Sequence, residues 1–130
     1  MFTIEQIKTA HTKVKSGADF PSYIQDLKAL GIVAYEHFVL DGHIQYFGTN
    51  DFTVLADAKW KPIKVADISS SEKLKHSLII HQQGQTDYPT FCKQSGEAGV
   101  EKWIVDMRKM RCTYYDKAAN KMLEENIPTP

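Results

Sequence analysis

The chain contains the same module twice. A shift of 68 positions carries Asp19 onto Asp87, and with it the segment Asp19–Tyr23 onto Asp87–Phe91. The same shift places Gly31 on Gly99 without a gap. Few paired residues are identical, but nearly all keep their size and polarity, and the glycines fall where helix ends require them. An internal repeat constrains the architecture before any other feature of a sequence does.

Both copies predict the same order of elements, namely two helices followed by three strands. Thr3-x-x-Gln6 and Ser69-x-x-Glu72 are capping-box patterns, so each opens the first helix of its copy. The second helix of each copy starts at an Asp and ends at a glycine. Alternating apolar residues then predict strands over 32–40, 43–47 and 52–56, and over 100–107, 111–115 and 121–124.

These patterns predict an α+β fold, an internal duplication of an α-α-β-β-β unit whose antiparallel strands carry the helices on one side. Residues 1–130 form one domain built from two repeats, about 1–56 and 69–125, joined by 57–68. Ile63 and Val65 in the joining segment alternate as a short extra strand would. Whether the six strands form one sheet or two stays open.

Asp41-Gly42 is a strong signal for a two-residue hairpin turn, which would place His37 opposite Tyr46. Strand alternation then puts five residues of the first hairpin on one face, and the shift of 68 gives the five equivalent residues of the second. The second set is apolar apart from one tyrosine hydroxyl, so this face is the predicted core face. The two sets are Tyr35, His37, Val39, Ile44 and Tyr46, and Trp103, Val105, Met107, Cys112 and Tyr114.

Composition and charge exclude several classes of protein. Sixteen basic residues balance sixteen acidic ones, so the chain has no excess positive charge of the kind that binds nucleic acid or an anionic membrane. No apolar run approaches the roughly 18–20 residues of a membrane span, and the N-terminus lacks the pattern of a signal peptide. Cys92 and Cys112 take the places of Ile24 and Ile44, which predicts two reduced, buried thiols rather than a disulfide or a nucleophile. The expected compartment is the cytoplasm.

His37 is the sharpest candidate for chemistry, because it occupies a core-face position where the other repeat has Val105. With Tyr46 as its expected neighbour, it would be suited to acid–base work. The alternative is a hydrogen-bonded core histidine, the commoner fate of a buried polar residue. The aromatic residues Tyr35, Trp103 and Tyr114 are candidates for lining a ligand cleft, or are simply core.

No metal site and no cofactor are expected. His76 and His81 are five residues apart, whereas ligands on one face of a helix are spaced by three or four. Asp41-Gly42-His43 is better explained as a turn than as a metal fragment. Phosphate-binding loops and the common hydrolase motifs are absent from the sequence.

Two stretches, Asp19–Gly31 and His81–Asp116, resemble the YdfO/YbcV-like family of small bacterial and prophage-encoded proteins of unknown function. Some members of that family carry the label "phage envelope protein". The resemblance covers nearly the whole chain and implies an α+β fold and a prophage-type accessory protein. It implies no activity and no catalytic residues.

The function expected from the sequence is non-enzymatic binding of a protein or a small ligand, in the groove where the repeats meet. The alternative is a small enzyme with a site around His37 and Tyr46 at the same inter-repeat cleft. Nucleic-acid and membrane partners are not expected, and a homodimer stays open.

Overall fold

The computed structural model describes all residues from Met1 to Pro130 and has the predicted order of elements twice. Most observed strands are one or two residues shorter at their ends than predicted. The helices are α1 (Ile4–His11), α2 (Phe20–Ala29), α3 (Ser71–Gln82) and α4 (Tyr88–Glu97). The strands are β1 (Ala34–Phe38), β2 (Ile44–Phe47), β3 (Thr53–Ala56), β4 (Lys102–Asp106), β5 (Arg111–Tyr115) and β6 (Lys121–Asn126).

All six strands belong to one antiparallel sheet, in the order β3-β2-β1-β4-β5-β6. The two repeats meet at its centre, where β1 pairs with β4 and Glu36 lies opposite Ile104. The shift of 68 also carries Glu36 onto Ile104, so a twofold axis through this pair exchanges the repeats. On either side of it, Tyr35 faces Val105 and His37 faces Trp103.

The predicted two-residue hairpin between β1 and β2 is wrong. Tyr46 lies opposite Tyr35, and His37 lies opposite Ile44, because the loop has four residues, Val39–Gly42. Contacts from outside the hairpin hold this longer loop, since the backbone N–H groups of residues 59 and 60 donate to the carbonyl of Asp41. The register differs from the predicted one by two residues, and an even shift leaves every side chain on its face.

The predicted core face is confirmed, because each of its ten residues is at most 6% exposed. The helices pack on this side of the sheet, whereas β-strand residues on the other side are mostly half-buried or exposed.

Cys92 and Cys112 are buried and unbonded to each other, as predicted. Residues 57–68 contain no strand, so Ile63 and Val65 do not form the short extra strand that their alternation allowed. None of the four helices combines the length and the apolar character that crossing a membrane requires.

The second helix of each repeat ends in the same way. Gly31 follows α2 with φ +96°, and Gly99 follows α4 with φ +90°, a left-handed conformation that residues with a Cβ adopt at a cost. The surroundings of the two glycines differ. A Cβ on Gly31 would meet nothing within 4 Å, but a Cβ on Gly99 would lie 2.7 Å from the Cα of Ser69.

The two glycines therefore form a matched pair for mutation. Gly31→Ala should cost about 1 kcal/mol of stability, the price of a positive φ alone. Gly99→Ala should cost roughly 1–3 kcal/mol more, because the backbone at Ser69 must also move. Urea unfolding of both variants measures the difference, and equal losses of stability would contradict the packing described here.

Candidate functional site

A cavity of about 710 Å³ lies between the helices and the inner face of the sheet. Both repeats and all four helices contribute to its wall, which is mostly apolar and rich in aromatic rings. Residues that line it from the sheet include Tyr35, His37, Ile44, Tyr46, Trp103, Cys112 and Tyr114. Residues that line it from the helices include Ile4, Ile7, Tyr23, Leu78, Tyr88 and Phe91.

A small polar cluster interrupts this wall at His37. The Nε2 atom of His37 shares a hydrogen bond with the hydroxyl of Tyr88, and Cys92 Sγ lies 4.0 Å from the same nitrogen. The imidazole stacks on the indole of Trp103, with ring centroids 4.0 Å apart and planes 12° apart. Its Nδ1 atom has no hydrogen-bond partner, although the side chain is 98% buried.

The cluster breaks the symmetry of the repeats. Under the shift of 68, the positions equivalent to His37, Tyr88 and Cys92 are occupied by Val105, Phe20 and Ile24. Three apolar residues in one half of the interior are thus replaced by three hydrogen-bonding residues in the other. Because β1 of the first repeat and α4 of the second supply them, the cluster forms only when the two repeats pack together.

Burial keeps the titratable groups of the inner wall uncharged at neutral pH. Desolvation, with a smaller contribution from the charge of Lys59, lowers the pKa of His37 to about 3. Desolvation raises the pKa of Tyr46 to about 12, and it raises the pKa of the Tyr23 and Tyr88 hydroxyls further. The thiols of Cys92 and Cys112 also have pKa values of about 12 because they are buried, so neither is a ready nucleophile.

Charged side chains line the cavity only where it reaches the surface. The exposed titratable residues of its wall are Lys8, His11 and Lys15 from α1 and the residues after it, Asp57 and Lys59 after β3, and Asp87 before α4. The ring of His11 packs edge-on against Tyr88, 5.8 Å away, which connects this mouth to the His37 cluster. On the other edge of the sheet, Glu125 of β6 also lines the cavity, and Gln82 donates a hydrogen bond to it.

Every side chain proposed from the sequence lies in this one cavity: His37, Tyr46, Tyr35, Trp103 and Tyr114. The expected partner of His37 was incorrect, because the changed hairpin register removes Tyr46 from the position opposite it. Sequence reasoning did not connect the actual partner, Tyr88, with His37. A comparison of the two repeats could have identified this pair, because Tyr88 occupies the position of Phe20 and His37 occupies the position of Val105.

The remaining histidines do not form a metal site. His81 lies in the last turn of α3, stacks on Phe91 and donates from Nδ1 to the carbonyl of Thr86. His43 pairs with Asp41 inside the hairpin loop. No group of three or more His, Cys, Asp or Glu side chains is arranged to hold a metal ion.

Comparison with known proteins identifies the family. Residues 8–126 match the family described as "Protein of unknown function (DUF1398)", so the chain belongs to that family. The uncharacterized protein YcgX of Escherichia coli strain K12 is 22% identical over 103 residues, which cover 79% of this chain and 77% of YcgX. Neither description names an activity or a prophage origin.

The asymmetric cluster predicts coupled mutations. His37→Val should cost about 1–3 kcal/mol at pH 7.5, because the buried Tyr88 hydroxyl loses its partner. Adding Tyr88→Phe should restore much of that stability, since the double variant copies the Val105 and Phe20 of the other half. Urea unfolding of both single variants and the double variant gives the coupling energy. Additive losses would show that the two side chains do not depend on each other.

The low pKa of His37 predicts a specific loss of stability in acid. The folded-state pKa of about 3 is below the unfolded value of 6.5, so the unfolded chain binds the extra proton first as pH falls between these values. Between pH 7.5 and 4.5, wild type should lose about 2.7 kcal/mol more stability than His37→Val. Effects of the other histidines are common to both proteins and cancel. Parallel pH dependences of the unfolding free energy would contradict a neutral, buried His37.

Proposed function

We propose that this member of the DUF1398 family is a non-enzymatic binding protein that takes up a small, largely apolar molecule. The cavity beneath its helices is the observation that carries the proposal. Its volume of about 710 Å³ falls within the roughly 300–1,000 Å³ typical of ligand sites. Protein interiors usually hold few voids larger than a water molecule, because a void forfeits the contacts of its lining atoms.

The chemistry of the wall supports an apolar ligand with a few hydrogen-bonding groups. Aromatic rings supply large apolar surfaces, and the phenol hydroxyls and His37 supply neutral donors and acceptors among them. A charged group placed deep in the cavity would lose its hydration without gaining a counter-charge there. The body of the ligand is therefore uncharged.

An enzyme remains the second candidate, and the cluster of His37, Tyr88 and Cys92 is the observation that favours it. General acid–base catalysis works best when the pKa of the group is near the working pH. The His37 pKa of about 3 and the high pKa values of the surrounding hydroxyls and thiols are all far from neutrality. These pKa values favour a protein that binds its ligand over one that catalyses a reaction of it.

The cellular setting stays a proposal drawn from the sequence. Two free, buried thiols fit a reducing compartment, so we retain the cytoplasm as the expected location. A prophage-type accessory role rests on the resemblance alone. A protein partner or a second copy of the chain is compatible with a ligand-binding interior.

Filling the cavity tests the proposal. Ala56 lies on the inner face of β3, opposite Ile44, and lines the cavity, so Ala56→Phe should occupy part of the ligand space. Thr53→Phe is the matched control, because it places the same ring on the exposed outer face of the same strand. In a thermal-shift screen of small apolar compounds, hits for wild type should persist in Thr53→Phe and disappear in Ala56→Phe.

Two results would contradict the proposal. One is a screen in which no apolar compound raises the melting temperature of wild type. The other is a set of hits that bind Ala56→Phe as tightly as wild type, since these would occupy some other surface.

A further inference from the structure

The mouth of the cavity carries cationic side chains that form no ion pair within the chain. Lys8 is on α1 and Lys59 follows β3, and both are exposed and line the cavity. Neither takes part in any ion pair of the chain. Asp57 also lines the cavity in this segment and forms no ion pair, and Asp41 pairs with His43.

Lys59 is held in place by a backbone carbonyl and not by an ion pair. Its Nζ atom donates a hydrogen bond to the carbonyl of Gly42, 2.8 Å away, in the loop that follows β1. Partial burial lowers the pKa of Lys59, and the nearby charge of Asp41 partly offsets this. The charge of Lys8 makes a further, smaller lowering contribution, which places the two ammonium groups in each other's field. An anion between them would relieve this repulsion.

The opposite edge of the sheet contributes an acidic side chain and no basic one to the cavity wall. Glu125 lines the cavity from β6, whereas Lys59 directly follows β3, and these strands are the two edges of the sheet. Neighbouring strands lie about 4.8 Å apart, so roughly 24 Å separates the edge strands. An elongated ligand with one anionic end would therefore enter in a single direction, with that end toward Lys59.

We infer that the ligand is an amphipathic carboxylic acid, whose carboxylate binds between Lys8 and Lys59 at the mouth while its apolar body fills the aromatic cavity. This inference rests on the proposed binding function and specifies the chemistry of the ligand. The charge stays at the exposed rim, where water also solvates it, and the uncharged wall receives only the apolar part. His11 lies beside the same rim, where it is positioned to contact the part of the ligand that joins the carboxylate to the apolar body.

The test compares acids with uncharged analogues of the same shape. Binding of 2-naphthoate and dodecanoate is measured by calorimetry at pH 7.5, beside the corresponding primary amides. Each acid should bind about tenfold more tightly than its amide, the contribution of one charge-assisted hydrogen bond. Lys59→Met and Lys8→Met should each remove about tenfold from the affinity of the acids and leave the amides within twofold.

Lys61→Met is the matched control, because Lys61 is exposed in the same segment but does not line the cavity. Equal affinities for acid and amide, or equal effects of Lys59→Met and Lys61→Met, would overturn the carboxylate inference. In that outcome the amides still bind, so the proposed function stands. If none of the four compounds binds, the inference is wrong, and the screen with Ala56→Phe then decides the proposed function separately.

Discussion

The antiparallel pairing of β1 with β4 is the contact on which the rest of the structure depends. It joins the two repeats into one sheet and sets their register through the pair Glu36–Ile104. Because strand side chains alternate, this register puts the apolar sets of both repeats on the same face. A slip of one residue would turn one set toward solvent, so burial of the core enforces the pairing. The same register sets His37 beside Trp103.

The cavity follows from the way that this duplicated interior is filled. Two copies of a helical pair cover a six-stranded sheet, and their side chains leave about 710 Å³ between the layers. Symmetry would make both halves of the interior alike, but His37, Tyr88 and Cys92 make one half polar. One half of the interior thus contains a polar cluster in which Nδ1 of His37 has no partner. The other half shows that apolar residues at the equivalent positions are enough to form the core. Buried residues that break the rules of core packing without an evident gain in packing are expected at functional sites.

Much of the fold could be predicted because its signals are local or periodic. The glycine stops at Gly31 and Gly99, the capping box at Thr3 and the alternation of the strands all depend on short stretches of sequence. The capping box predicted at Ser69 is wrong by one residue, since Ser70 caps α3. The hairpin register could not be predicted, since contacts from residues 59 and 60, distant in sequence, hold the longer loop. The partner of His37 depends on how α4 crosses β1, which no local pattern encodes. The candidate residues were thus identifiable one by one, but their arrangement around a cavity was not.

The most direct measurement of the central claim is a methyl NMR titration with 2-naphthamide, the uncharged aromatic probe. Ile7, Ile44 and Leu78 line the cavity, whereas Ile68 and Leu40 are exposed and lie outside it. Binding in the cavity predicts large shifts for the three lining residues, with intermolecular NOEs to the naphthalene ring, and unchanged signals for the two exposed residues. Shifts confined to Ile68 and Leu40, or no shifts at all at saturating probe, would contradict the account.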